Sequence, residues 1–343
     1  MTGMYTAVMM VGVLLGCDET VTSEAAGGDQ DPYPQVGQLL VRMDSDILTV
    51  DASGHGDATD IQSAVDLAHD GDVVRVLPGT YVGAVIDKQV ALIGGDGVNV
   101  TAMPDGIGFY LPAPRASGSM IRGFSFDGVP YPVRGVNADD VTVSHLSIQD
   151  FVEGIGLNGC NGWAVEHNVL TASEPVGTDL QIQMHGISVW TVDGTANDNL
   201  VAFNRISYNG PTPTGASFGN WGISLAGYPG TEMEGNRIVH NQIRFFTGQW
   251  FSGGIGVGDA SLFYGGPPVV VDNNVAFNDT RGSTTWETMF FAVSLEDNSI
   301  SANLGATWYT DNPFLGEYTN IDTGENRSSA RWSASPPEGF PMR

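Results

Sequence analysis

Four side chains of this sequence are candidates for catalysis: His185, Asp179, Arg205 and Arg237. An imidazole exchanges protons near neutral pH, so His185 is the candidate general acid or base. Asp179 would add a carboxylate nearby, and the two guanidinium groups could each hold a carboxylated ligand through paired hydrogen bonds. The alternative is structural: a single histidine is more often a packed residue, and arginines in a very acidic chain find acidic neighbours. Glu153, Glu166 and His167 are further polar candidates.

Aromatic residues accompany these polar groups along the chain. Trp190, Tyr208, Trp221 and Trp250 are the predicted substrate-binding residues, because aromatic rings offer flat apolar surface that suits sugar rings. The alternative is that each ring packs a loop against the body of the protein.

A repeat must position these residues. Glycine followed by two alternating apolar positions recurs at Gly154, Gly186, Gly222 and Gly254, with a degenerate copy at Ala292. Asparagine followed two residues later by an apolar residue recurs at Asn168, Asn204, Asn236, Asn241, Asn273 and Asn298. The first pattern predicts short strands with one face inward, and the second predicts tight turns with stacked asparagine side chains. Their regular order predicts a solenoid whose coils run from about Val73 to Leu304.

Three insertions follow the asparagine turns, at 171–184, 207–220 and 244–253. They occupy equivalent places in consecutive coils, so we expect them to be neighbours and to wall a groove.

A short helix precedes the repeats. Thr59 and Gln62 form a capping-box pattern, apolar residues follow at helical spacing, and Gly71 ends the helix. Strands are predicted at 72–76, 85–86 and 90–95, with a turn at 77–81. The segment from Asp60 to Gly95 resembles the opening of right-handed parallel β-helix proteins, which include the pectin-lyase-like superfamily and the family of the periplasmic nitrous-oxide-reductase maturation protein. The resemblance implies an all-β, right-handed parallel β-helix solenoid with a short N-terminal capping helix.

Catalytic motifs of the enzymes with this fold are not reproduced. The segment from Val165 to Asn168 only loosely resembles the Trp-x-Asp-His segment of pectate lyases. The Gly-His-Gly of polygalacturonase-like hydrolases has a counterpart around His55, but it lies on the wrong side of Asp139-Asp140. Neither mechanism can be carried over to this chain.

The first residues predict export. An apolar run at 7–15 fits the core of a signal peptide, and Leu14-Leu15-Gly16-Cys17 resembles the lipobox of bacterial lipoproteins. The domain prediction is therefore a signal peptide at 1–16, lipidated Cys17 with an acidic tether to residue 37, a β-helix domain at 38–305 and a C-terminal cap or tail at 306–343. The protein would be anchored to a bacterial membrane by its lipid alone, in the periplasm or at the cell surface.

The net charge of the chain limits the classes of partner that it can bind. The net charge is −26, with 13 basic residues in 343, and such a surface repels phosphate backbones, so nucleic-acid binding is not expected. Carboxylates could bind Ca²⁺, although no cofactor is specified and the metal stays unknown. Cys160 is expected to be a buried apolar residue, and we predict a monomer.

The sequence is compatible with three classes of function. The first is a polysaccharide lyase or glycoside hydrolase, and the second is a non-catalytic surface protein that binds glycans or proteins through the same groove. The third is a periplasmic maturation factor. The sequence does not decide whether the protein is an enzyme.

Overall fold

The computed structural model describes residues 45–173, 184–210, 220–246, 252–261, 267–283, 286–291, 293, 298–310 and 319–320. All of them belong to one compact unit that begins at Gly37. Asp179, Trp250 and Cys17 lie outside the described residues, as do residues 174–183, 211–219 and 247–251 of the three insertions.

Three sheets run along this unit, with ten strands in sheet 1, seven in sheet 2 and ten in sheet 3, so most coils contribute one strand to each sheet. The strands of sheet 1 are Ile47–Val50, Val73–Val76, Ala91–Ile93, Met120–Arg122, Thr142–Ser144, Ala164–Glu166, Leu200–Ala202, Arg237–Val239, Asn274–Ala276 and Ser299–Ser301. The strands of sheet 2 are Gly79–Val82, Val98–Thr101, Ser125–Asp127, Ser147–Gln149, Val169–Ala172, Arg205–Asn209 and Gln242–Phe246. The strands of sheet 3 are Ala84–Val85, Ile107–Pro112, Tyr131–Val136, Glu153–Asn158, His185–Thr191, Asn220–Gly227, Ser252–Asp259, Trp286–Phe291, Thr307–Thr310 and Thr319–Asn320.

The pairing is parallel, and it ends in an antiparallel contact between Thr307–Thr310 and Thr319–Asn320. A short parallel pair, Met233–Glu234 with Val270–Val271, lies outside the three sheets. The chain is therefore a parallel β-helix, and the predicted fold class is confirmed. The coils begin at Ile47, before the helix, and sheet 3 continues past residue 305.

Apolar side chains fill the interior in columns, one residue per coil. The central column of sheet 1 contains Val74, Leu92, Ile121, Val143, Val165, Val201, Ile238 and Val275, each at most 1% exposed. The residues that flank this column in each sheet 1 strand point outward, and sheet 3 likewise has an outer face that is available for a site.

The predicted helix is present at Ile61–Leu67, but its start is shifted by one residue. Asp60 is the N-cap, because its carboxylate accepts a hydrogen bond from the Ser63 amide at 2.8 Å. Gln62 is therefore not a capping-box residue. Its side-chain amide pairs with both main-chain groups of Val85 and joins the helix to the first coil. The turn predicted at 77–81 is also wrong, since Gly79–Val82 is a strand of sheet 2.

Lys88, the only lysine of the sequence, caps the C-terminal end of this helix from the next coil. Its ammonium group donates to the carbonyls of Val65 at 2.9 Å, Asp66 at 2.6 Å and Ala68 at 2.9 Å. A cation is favourable at a helix C-terminus, where the last carbonyls lack helical partners.

We expect Lys88→Met to lower the free energy of unfolding by about 2–3 kcal/mol, because the variant leaves three carbonyls without their charged donor. Urea denaturation would measure the change. The matched control is Arg75→Met on the exposed side of sheet 1, which should cost less than about 0.5 kcal/mol. Equal effects of the two substitutions would contradict the assigned role.

Two asparagine ladders run inside the turns on either side of sheet 1. One ladder contains Asn168, Asn204, Asn241, Asn278 and Asn303. From Asn204 onward, each side-chain oxygen accepts hydrogen bonds from the main-chain N–H and the side-chain nitrogen of the preceding member. The other ladder contains Asn199, Asn236, Asn273 and Asn298. The predicted asparagine stacking is confirmed, but the sequence pattern did not distinguish the two ladders and treated all its asparagines as equivalent.

Candidate functional site

The outer face of sheet 3 gathers polar and aromatic side chains from five consecutive coils. One outward column contains Glu153, His185 and Trp221, which are register partners in neighbouring strands. Tyr131 begins the preceding strand, two residues before Val133, which pairs with Ile155. The next outward column contains Tyr110, Arg134, Gly156, Ser188 and Ser224. Parallel strands lie about 4.8 Å apart, so the groups of each column are in lateral contact.

Glu153 is the centre of this face. Its side chain accepts a hydrogen bond from the Ser188 hydroxyl at 2.5 Å, and it lies 3.5 Å from an Arg134 nitrogen. The Arg134 guanidinium also lies over the Tyr131 ring, 4.7 Å from the ring centre. Glu153 is 8% exposed, whereas Arg134 and Tyr131 are partly exposed. A largely buried carboxylate is thus held by an arginine and a hydroxyl at an accessible edge.

A glycine makes room for this carboxylate. A Cβ atom at Gly156 would lie 2.6 Å from a Glu153 oxygen, so the carboxylate rests directly over the Gly156 backbone. A related arrangement occurs at Gly256, three coils after Gly156, where the Trp221 ring of the preceding coil lies over the glycine. The glycines therefore let side chains of the first outward column lie flat on the sheet.

His185 lies between Glu153 and Trp221 in register. Burial lowers the pKa of His185 to about 4, so its imidazole is neutral at neutral pH. A neutral imidazole can accept or donate a hydrogen bond to a ligand, but at this pKa it is a weak general base.

The tryptophans of this face occupy different environments. Trp190 is partly exposed and follows Asn158 in register, so its ring can reach a ligand. Trp221 is 4% exposed and packs with Met289 and Trp308 in an apolar cluster. The described geometry therefore gives Trp221 a packing role, whereas Trp190 remains available as a binding residue.

Three other predicted site residues lie elsewhere. Tyr208 is 1% exposed and packs against Phe245 in the interior, so it presents no binding surface. Arg205 begins a strand of sheet 2 and Arg237 a strand of sheet 1, and neither shares the face of His185. The two arginines do not hold equivalent places, because each follows an asparagine of a different ladder.

The attachment points of the insertions agree with the predicted arrangement. Ala172, Tyr208 and Phe245, each the second residue of its insertion, are register partners in sheet 2. At the other end, His185 and Trp221 directly follow the first two insertions and Gly253 ends the third, and these residues are register partners in sheet 3. The three insertions therefore leave and rejoin the solenoid side by side, along the Glu153 column.

The sequence interpretation named Glu153 only among secondary candidates and missed Arg134, Tyr131, Tyr110 and Ser188. The sequence offered no signal for the pair Tyr131 and Arg134, because residues three apart on a regular strand point to opposite faces. Within the described residues, no three His, Cys, Asp or Glu side chains are grouped so that they could hold a metal ion.

Cys160 is fully buried, as the sequence predicts, and burial raises the pKa of its thiol to about 12. We expect the native protein to leave Cys160 unlabelled by a maleimide at neutral pH, because the thiolate is the reactive form. Peptide mapping would follow the reaction, and addition of denaturant should make Cys160 fully reactive. Rapid labelling of Cys160 in the folded chain would contradict this environment.

No known protein family matches the sequence, and no curated protein matches it. Among solved structures, the chain is similar to an alginate lyase from Paenibacillus sp., with 14% identity, a TM-score of 0.38 and coverage of 76% of this chain and 86% of that one. It is also similar to the catalytic domain of a GH87 alpha-1,3-glucanase, with 14% identity, a TM-score of 0.35 and coverage of 83% of this chain and 57% of that one. The fold and the face define a parallel β-helix protein with a carboxylate centre on sheet 3.

Proposed function

We propose that this protein binds a polysaccharide on the outer face of sheet 3 and cleaves it at Glu153. The observation that carries the proposal is the Glu153 centre: a largely buried carboxylate positioned by Arg134 and Ser188 beside partly exposed aromatic rings. Buried, paired carboxylates are frequent at catalytic sites, although structural ion pairs share this property.

The surroundings of Glu153 favour a sugar ligand. Tyr110, Tyr131 and Trp190 are partly exposed on the same face, and such rings present apolar surface with a polar tip. The Ser188 and Ser224 hydroxyls and the Asn158 amide add neutral hydrogen-bonding groups in adjacent coils. A flat sheet with groups repeated at the strand spacing suits an extended polymer better than a small metabolite.

Binding without cleavage is the second candidate. Glycoside hydrolysis generally uses two carboxyl groups on either side of the scissile bond. Among the described residues of the two outward columns, Glu153 is the only carboxylate. A protein that only holds a glycan would need no second one.

A turnover screen separates the candidates. The protein would be incubated with neutral and acidic polysaccharides, with and without Ca²⁺, while ultraviolet absorbance and new reducing ends are followed. Rising absorbance from unsaturated uronates indicates a lyase, and reducing ends alone indicate a hydrolase. Retained binding with no turnover of any substrate favours the binding protein. Absence of both binding and turnover would contradict a role in polysaccharide chemistry.

We also propose that the chain is exported and lipidated at Cys17, on the strength of its lipobox-like segment. Among the described residues, no helix is long and apolar enough to cross a membrane. In a bacterial host, Cys17→Ser should abolish incorporation of a radiolabelled fatty acid and shift the protein out of the membrane fraction. Cys160→Ser is the matched control and should keep the label. Equal labelling of both variants would rule out Cys17 as the lipidated residue.

A further inference from the structure

A column of stacked aromatic rings lies on the outside of the turn between sheets 1 and 2. Its members are His145, His167, Phe203, His240 and Phe277, with neighbouring ring centres 5.0–5.4 Å apart. All five are exposed, and their φ angles lie between 56° and 58°. Four of them immediately precede a ladder asparagine. The left-handed turn therefore points the asparagine side chain inward and the aromatic ring outward.

Basic groups follow this turn with one member per coil. In the coil before His145, the turn residue is Gly123, and Arg122 lies immediately before it. The positive charge of Arg122 contributes to lowering the pKa of His145. Arg205 lies two residues after Phe203, at the start of its sheet 2 strand. Five consecutive coils thus contribute one basic group each. We call this set the basic strip; its members are Arg122, His145, His167, Arg205 and His240.

The arginines of the strip are available for a ligand. Both Arg122 and Arg205 are exposed, and within the described part of the chain neither forms a hydrogen bond or an ion pair. By contrast, Arg134, Arg244 and Arg281 are each close to a carboxylate. The strip therefore concentrates unneutralised cations in a chain of net charge −26.

The ring orientation argues against a neutral sugar. The rings from His167 to Phe277 are almost parallel, with interplanar angles of 3–7°, so each face is covered by its neighbour. Only ring edges reach solvent, and ring edges carry the positive end of the aromatic quadrupole. Histidine edges add N–H donors. Such a surface attracts anions, and between the stacked rings it offers no open face to a sugar.

We propose that the basic strip is a docking site for a linear acidic polysaccharide, separate from the Glu153 face and strengthened by mild acid. Coils are spaced by about 4.8 Å, which approximates the length of one sugar unit in an extended chain. A polymer with a carboxylate on each unit would therefore meet one basic group per coil. The proposal goes beyond the cleavage proposed above and does not depend on it.

The charges around the strip set its pH response. Burial, then Arg122 and His167, lower the pKa of His145 below its ordinary value. Glu166 on sheet 1 faces His167 and Arg237, and burial raises the pKa of Glu166. Acidification therefore favours protonation of Glu166 and reduces the negative charge that opposes an anion. Histidine side chains in general gain charge between pH 8 and pH 5, which acts in the same direction. Charges farther away than about 10 Å are screened at 0.1 M salt, so the net charge of the chain does not cancel this local effect.

The test is binding of a polyuronate to the full chain, measured by isothermal titration calorimetry. We expect affinity at least about tenfold higher near pH 5 than near pH 8, and a steep loss with added salt. A neutral glucan should show no such pH or salt dependence. Equal polyuronate affinity at both pH values would overturn the proposal.

Two variants locate the effect. The combination His145→Asn, His167→Asn and His240→Asn removes the imidazoles with a residue that tolerates left-handed turns, and it should reduce the pH dependence to the part that Glu166 contributes. The pair Arg122→Gln and Arg205→Gln leaves the ring stack intact and should weaken binding at both pH values. His55→Asn with His69→Asn is the control, because these exposed histidines lie outside the strip.

The proposal fails if both strip variants bind as tightly as the wild-type protein. It also fails if Glu153→Gln abolishes polyuronate binding while the strip variants do not, because that result places the polymer on sheet 3. Failure of cleavage at Glu153, with the strip response intact, would contradict only the function proposed above.

Discussion

Asn204→Ala should lower the free energy of unfolding by about 3–5 kcal/mol, which is a large share of the stability of a typical domain. Asn204 is 1% exposed and lies in the middle of its ladder. Its side-chain oxygen accepts from the Asn168 amide and side chain, both at 3.0 Å. Its side-chain nitrogen donates to the Val165 carbonyl at 2.8 Å and to Asn241 at 3.0 Å.

Alanine removes all four bonds and leaves their partners inside the solenoid without water. Each orphaned buried group costs about 1–3 kcal/mol, and the losses are coupled because ladder bonds polarise one another. Urea denaturation followed by circular dichroism would measure the effect. Asn209→Ala is the control, since Asn209 is exposed at the end of its strand, and it should cost less than about 0.5 kcal/mol. A loss below about 1 kcal/mol for Asn204→Ala would show that the ladder contributes little.

Glu153→Gln should reduce kcat/KM by about 10²–10⁴-fold on the polysaccharide that the turnover screen identifies. Glutamine keeps nearly the same shape and can still accept from Ser188. It loses the negative charge that faces Arg134 and the ability to exchange a proton. Steady-state kinetics would measure the loss, and thermal unfolding would check that the fold is retained.

Glu234→Gln is the matched control for this experiment, because Glu234 is exposed and lies outside the three sheets. It should leave kcat/KM unchanged within about twofold. Gly156→Ala provides a second test, because the added Cβ would displace the carboxylate without changing its chemistry. Undiminished turnover in Glu153→Gln would move the catalytic centre off this face.

The fold could be predicted because its determinants are local and repeated. The Gly154 and Gly186 patterns each describe a short strand, and the interval between copies gives the length of a coil. The inward asparagines were visible as well, since an amide at a fixed place in each coil has few other roles. Asn278 and Asn303 were missed because the pattern required an apolar residue two positions later, whereas Asn199 fits the pattern and was overlooked.

The site was harder to predict because it depends on which residues lie across strands. Glu153 and Ser188 are 35 positions apart, and their contact follows from register rather than from any motif. His185 was found because it precedes a repeat glycine, but the same rule could not show that burial lowers its pKa. The aromatic column could have been predicted from the sequence, because His or Phe immediately precedes Asn168, Asn204, Asn241 and Asn278.

The ladders do not extend to the N-terminal coils, and this difference has a thermal consequence. In the two coils before Asn168, its place is taken by Phe124 and Leu146, both buried. Apolar packing weakens on cooling, because its driving force is largely entropic near room temperature, whereas amide hydrogen bonds do not share this dependence. Near freezing, the N-terminal coils should therefore lose stability relative to the C-terminal ones, so that one solenoid contains a cold-sensitive half and a cold-tolerant half.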